Sequence, residues 1–281
     1  MRVLGHSPVS AVKTARRSTA KRAAALALTA ALVVGMTLPA FADTWYIDNG
    51  DISISAGENG NNVTQGSTTK ENDTDTVIKS NGSSTASSNT VTIDAGEGQT
   101  VNVTLDNVNI NTSKTGDAAV SVTGSGNTNI ELNGNNTLTS GGWHAGLEHN
   151  KETDSEGNET SGTLTITDTD KNGSLAATGG NYGGAGIGGG NIEITGGTIT
   201  ATGGLDGAGI GGGGSGGDAD ITISGGTITA IGGTDPWQRP YAIGGAGIGS
   251  GGANGNSTVT ITGDAVIKEA IGGNGCSGIG G

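Results

Sequence analysis

The side chains able to do chemistry are few in this chain, and the aromatic ones recur at one kind of place. Trp143 and His144 are adjacent, Tyr182 follows, Leu205-Asp206 come next, and the stretch 234–243 (TDPWQRPYAI) holds Trp237, Arg239 and Tyr241. Each group lies between a short apolar-alternating segment and a small apolar triplet of the Ala-Gly-Ile kind. Aromatic residues make up only 2% of the chain, so their recurrence at this place is informative. Flat rings beside polar groups suit the C–H face and hydroxyls of a sugar. The plain alternative is that the rings pack over bends and shield a core edge.

A second candidate is Asp168-Thr169-Asp170-Lys171-Asn172-Gly173, which begins like an EF-hand calcium loop with oxygen donors at alternate positions. Position 12, where a bidentate Glu is required, falls on Gly179. The expectation is an acidic turn in which Asp168, Asp170 and Asn172 form at most a partial metal site. No cofactor is required, and calcium is the one the residues suggest. His144, Glu148 and His149 form the only His/acid cluster, and His144 and Glu148 can approach across a short strand. The acids Asp154, Glu156, Asp218 and Asp220 have no partner assignable from spacing, so no glycosidase pair is placed. The GAGIGGG runs lack both the Lys-Ser/Thr of a phosphate loop and the Asp of a calcium-binding nonapeptide.

The elements that must position these residues are short and repeated. In Asn191 to Ile210, three alternating segments are separated by Gly pairs, which reads as three strands joined by tight bends. The first-strand cores are Val103-Thr104-Leu105, Ile130-Glu131-Leu132, Leu164-Thr165-Ile166, Ile192-Glu193-Ile194, Ile221-Thr222-Ile223 and Val259-Thr260-Ile261. Aligned on their third residue they are 27, 34, 28, 29 and 38 residues apart. Third strands recur as Ala118-Ala119-Val120, Ala145-Gly146-Leu147, Ala185-Gly186-Ile187, Ala208-Gly209-Ile210, Ala246-Gly247-Ile248 and Ser277-Gly278-Ile279. No copy buries its apolar face alone, whereas stacked copies do. The fold class expected is all-β, a right-handed parallel β-helix with three short strands per coil of ~28 residues. An antiparallel sandwich would not need such similar repeats. Thr198/Thr200 and Thr227/Thr229 suggest an outward Thr row of the ice-binding kind, but other coils lack the pair.

The N-terminus reads as a signal peptide, residues 1–42. Arg2, Lys13, Arg16, Arg17, Lys21 and Arg22 precede an apolar run at 23–38 and an A-x-A ending at Ala42. That run is shorter than the ~20 residues of a spanning helix, so no membrane insertion is expected after cleavage. Residues 43–90 read as capping strands and loops, and 91–281 as the repeats. The last repeat ends near a third strand without a capping helix, so a fragment of a longer surface protein is expected. Removal of the basic leader takes the formal net charge from −13 to −19. Such a charge repels nucleic acid and anionic lipid. The single Cys276 cannot form an internal disulfide.

VNVTLDNVNI, NIELNGNNTLTSGG and the later ITISGGTITAIGG with GAGIGSGG resemble repeat regions of secreted and cell-surface proteins of Gram-positive bacteria. These are described as carbohydrate-binding-domain-containing and are similar to pectate-lyase-like β-helices. The resemblance covers Val91 to Gly281 and rests on core and bend residues. It implies a secreted or cell-surface location and an extracellular or cell-wall polysaccharide as partner, held by glycan binding or adhesion. The candidate glycan edge is Trp143, His144, Tyr182, Trp237, Arg239 and Tyr241. A structural stalk is the nearest rival. A polysaccharide lyase would want clustered acids for calcium and a basic side chain, and Arg239 is the only Arg after residue 42.

Overall fold

The structure, a computed structural model, describes residues 43–82, 84–149, 155–156, 160–215, 217–235, 244–252 and 255–280. Its strands stack into three sheets that run along one axis, and each turn of chain contributes to the sheets in rotation. The first sheet is Thr44–Tyr46, Thr76–Lys79, Thr100–Asp106, Asn127–Asn133, Thr163–Thr167, Gly190–Ile194, Ala219–Ile223 and Ser257–Ile261. The second is Asn109–Asn111, Asn135–Thr139, Ser174–Thr178, Thr198–Thr202, Thr227–Ile231 and Val266–Ile271. The third runs from Ile52–Ala56 through Val91–Asp94, Val120–Thr123, Leu147–His149, Ile187–Gly188, Ile210–Gly211 and Ile248–Gly249 to Ile279–Gly280. This is a right-handed parallel β-helix. Within residues 43–90, Thr44–Tyr46 and Thr76–Lys79 join the first sheet. There too, Asn61–Gln65 and Thr68–Asp73 add two antiparallel strands beyond Ile52–Ala56. Trp45 is buried there, and its indole N–H donates to Asp73 Oδ2 at 3.1 Å.

Alternation decides what faces inward, because successive strand residues point to opposite sides. Val103, Ile130, Ile166, Ile194, Ile223 and Ile261 form one interior row of the first sheet. The motif alignment placed Leu132 beside Ile166, but the register puts Ile130 there and stacks Leu132 on Leu105 and Ile78. The slip is two residues, so it leaves the buried face unchanged, and periodicity alone is blind to it. Its consequence is that Thr128 takes the place beside Leu164 in the row Val101, Thr128, Leu164, Ile192, Ile221 and Val259. Thr128 is fully buried, and its hydroxyl has no hydrogen-bond partner among the described residues. Replacing it by valine keeps the shape and removes an unpaired polar group. Thr128→Val is expected to raise stability by about 1 kcal/mol, measurable as a higher denaturant midpoint. An unchanged or lower midpoint would show that the hydroxyl is paired.

Asn136 is a contrasting buried polar residue, in the inward row of the second sheet beside Leu175, Ile199 and Ile228. Its Oδ1 accepts from Val108 N at 2.9 Å, and its Nδ2 donates to Asn133 O and Ser174 O. The side chain is paired on both ends, so it ties neighbouring coils together. On the outward face of the same sheet, Thr200 and Thr229 stack in register, but Ala176 and Glu269 interrupt the row.

The recurring Ala-Gly-Ile corner has a steric cause. A Cβ on Gly146 would lie 2.8 Å from Gly186 O, one on Gly186 2.6 Å from Gly209 O, and one on Gly209 2.6 Å from Gly247 O. Coil backbones touch there, and only glycine fits. In the last coil Ile261 and Ile279, in the interior rows of the first and third sheets, are exposed, as are Val266 and Ile271 in the outward rows of the second. A β-bulge that leaves Lys268 unpaired interrupts the register of that coil's second strand.

Candidate functional site

The third sheet carries the site, because its outward positions change character along the axis. Val91, Val120, Leu147, Ile187, Ile210 and Ile248 form its inward row. The residues just after them point outward and read Thr92, Ser121, Glu148, Gly188, Gly211 and Gly249. The residues three positions before them read Ser88, Asp117, His144, Gly184, Gly207 and Gly245. The later coils thus repeat Gly-Ala-Gly-Ile-Gly, and the coil at 144–148 has His-Ala-Gly-Leu-Glu in the same places. The two departures touch each other. His144 Nδ1 lies 2.9 Å from Glu148 Oε2 and 3.2 Å from Oε1, and Ala145 N–H donates to Oε2 at 3.1 Å. Glu148 is buried while the His144 side chain is half exposed. Because a carboxylate oxygen accepts, the ring donates to Glu148 from Nδ1.

Two adjoining hollows share Glu148. One, of about 490 Å³, is polar and is lined by Asp51, Asp117, Ser121, His144 and Glu148 among others. The other, of about 340 Å³, is lined by Trp143, Glu148, Gly188, Gly189, Gly213 and Asp218, so its floor is largely bare backbone. Together they make a trough along the sheet, with Trp143 at one side. Trp143 and Tyr182 are 65% and 62% exposed, and their ring centroids are 5.9 Å apart at 33°. Stacking of the coil corners sets this pair, since Tyr182 N–H donates to Gly142 O at 3.0 Å. Gly183 leaves space for the indole, because a Cβ there would meet Trp143 Cε3 at 3.2 Å, and its φ of +127° also favours glycine.

Of the six residues expected on a glycan edge, the structure brings the Trp143 and Tyr182 rings together and sets His144 in the adjoining hollow. Trp237, Arg239 and Tyr241 lie outside the described residues. His149 separates from the His/acid cluster. It points inward in the row of Ile54, Ile93 and Val122, fully buried, with Nε2 donating to Gly162 O at 2.9 Å. Glu148, one residue earlier, faces the trough, so alternation forbids the two from sharing an ion on one face. Sequence reasoning left Asp51, Asp117 and Ser121 out of the site. The signal for Asp117 and Ser121 was present, because both stand where later repeats have glycine. Asp51 comes from a coil that the repeat alignment did not reach.

The acidic turn forms a separate cluster. Ligand oxygens of Asp168, Asp170 and Glu131 lie within 4.8 Å of one another, with Glu131 supplied by the preceding coil. Asn172 donates its amide to Asp170 Oδ2 at 2.6 Å, and Asp168 Oδ1 accepts from the Asn172 and Gly173 N–H groups. Burial pushes the Asp168 carboxyl above the usual range and Asp170 adds to the rise, while those two N–H groups oppose it. Three crowded carboxylates are an oxygen-donor set of the kind hard divalent ions take. Cys276 donates its thiol to Gly244 O at 2.7 Å, and burial, with Asp206 nearby, raises its pKa. The thiolate is disfavoured there.

Compared with known proteins, the chain matches the family model described as Beta helix repeat over residues 192–214. No curated protein matches it, and no solved structure does. The matched residues run from Ile192 in the first sheet through Thr198–Thr202 in the second and past Ile210 in the third. With the sheet topology, that match makes the chain a parallel β-helix protein built on a β-helix repeat.

Proposed function

We propose that this β-helix is a non-catalytic, extracellular glycan-binding segment whose ligand lies along the third-sheet trough. The observation that carries the reading is the exposed Trp143–Tyr182 ring pair, with Trp143 lining a hollow floored by glycine backbone. A pyranose needs a flat apolar surface for its C–H face and nearby polar groups for its hydroxyls. The rings supply the first, and His144, Ser121 and exposed backbone supply the second. A trough that runs with the axis suits an extended chain of sugars. The leader-like residues 1–42 support an extracellular setting, and the acidic surface argues against nucleic acid and anionic membranes as partners.

The test is a binding assay of the chain without its leader against plant, mucin and wall polysaccharides, with and without calcium. Saturable binding that depends on Trp143 is expected. No binding to any member of the panel would leave a structural stalk as the better reading. Release of unsaturated or reducing ends would overturn the non-catalytic assignment.

Calcium has a supporting part in this reading, as a staple between coils at Glu131, Asp168 and Asp170. At the affinities of extracellular calcium modules, ~10 mM calcium is expected to raise stability by about 1–3 kcal/mol. Thermal unfolding checks this, and Asp168→Asn should reduce the gain. A midpoint indifferent to calcium in the parent chain would remove the ion from the account.

A further inference from the structure

We infer that the polar half of the trough selects glycans that carry free, protonated amino groups. The inference rests on the glycan reading above and names the ligand class within it. Its starting point is where side chains have been added to a repeat whose later coils have none. Asp117 and Ser121 occupy one coil and His144 and Glu148 the next, at the two outward positions that become glycine from Gly184 and Gly188 onward. A repeat that needed only bends and packing there is satisfied by glycine, as those later coils demonstrate. The four added side chains line one hollow of about 490 Å³, with Asp51 from an earlier coil.

The hydrogen-bonding capacity of that hollow is one-sided. Among the described residues, three carboxylates line it and no Lys or Arg does. Asp51 is held by the N–H and hydroxyl of Thr90, and Glu148 by Ala145 N–H and His144. The Asp117 carboxylate has no hydrogen-bond partner among the described residues, although its backbone O accepts from Thr112 and Gly141. His144 Nδ1 is taken up by Glu148. The lining therefore offers acceptors and negative charge, with the hydroxyls of Ser88, Thr92 and Ser121 able to play either part. An alkylammonium, with three donors and no acceptor, complements this set. Its bonds to carboxylates are charge-assisted and stronger than those of a neutral hydroxyl. A uronate or sulfated sugar meets like charge and is excluded. The neighbouring half of the trough, with the Trp143 ring over a floor largely of glycine backbone, binds the sugar face while the polar half chooses the substituent.

The experiment compares a fully deacetylated glucosamine oligomer with its N-acetylated counterpart, at matched length and with chelator present. The amines must be protonated in the buffer, and binding is followed by calorimetry. The deacetylated oligomer is expected to bind about tenfold more tightly, a preference that shrinks as salt is raised. Asp117→Asn, a change at a solvent-facing side chain, is expected to remove most of the preference by weakening the deacetylated oligomer more than the N-acetylated one. Glu148→Gln removes a second lining carboxylate and should also reduce the preference, with circular dichroism confirming the fold. Equal binding of the two oligomers overturns the inference and leaves the glycan reading intact. A preference unmoved by either substitution also overturns it. Failure of both oligomers and of the wider polysaccharide panel overturns the inference and the glycan reading together.

Discussion

Ile194→Asp leaves the central coils unable to stack. Ile194 is fully buried in the interior row between Ile166 and Ile223, and it belongs to a coil held only by its two neighbours. A carboxylate there would have aliphatic neighbours on both sides, and burying it unpaired costs well over ~5 kcal/mol. In a solenoid, stability is a sum of coil and interface contributions, so the damage is local in origin and severs the stack. The chain up to Thr163–Thr167 keeps its hydrogen-bonded antiparallel strands at the N-terminal end, while the coils beyond lose their template. Limited proteolysis should release a protected N-terminal fragment, and the strand signal in circular dichroism should fall. Ile194→Ala gives the graded version, costing about 2–5 kcal/mol. Glu193→Ala, one residue away and facing outward, should stay within ~0.5 kcal/mol. Cooperative unfolding of Ile194→Asp at the parent midpoint would mean that the row is not interior.

Trp143→Ala is expected to weaken glycan binding about 30-fold, the equivalent of ~2 kcal/mol for a stacking anchor. The indole is largely exposed and is held by the Gly183 backbone and the Tyr182 ring, so its removal leaves the core untouched. Stability should therefore remain within ~0.5 kcal/mol of the parent, which separates loss of ligand contact from loss of fold. Trp143→Phe should recover part of the affinity, because a smaller ring still offers a face. Tyr182→Ala should have a smaller effect of the same sign. Gly183→Ala gives an independent check, since a methyl group there crowds the indole and moves the platform without deleting it. Parent-like affinity in Trp143→Ala would place the ligand elsewhere on the protein.

The architecture was legible in the chain because a β-helix repeats one local solution. Alternation put the aliphatic residues inward, the Gly pairs marked the bends, and near-identical units required coil-on-coil stacking. The residues between second and third strands were identified as variable, and two of them, Trp143 and Tyr182, are in ring contact. Lateral register was not legible. Ile130 and Leu132 have the same parity and the same chemistry, so only the paired backbone decides which of them sits on Ile166. That choice in turn buries the Thr128 hydroxyl.

The sequence by itself therefore determined the inward face, the three-strand grammar and the kind of residue at each corner, because these depend on spacing along one strand. Only the tertiary structure decided which residues from separate coils share a site. It joined Asp51 and Asp117 to the His144–Glu148 pair, turned His149 away from them, and added Glu131 to Asp168 and Asp170. Those groupings depend on contacts between residues a coil or more apart. Insertions between coils set how far apart such residues lie in sequence, while backbone hydrogen bonds between neighbouring strands set which of them meet.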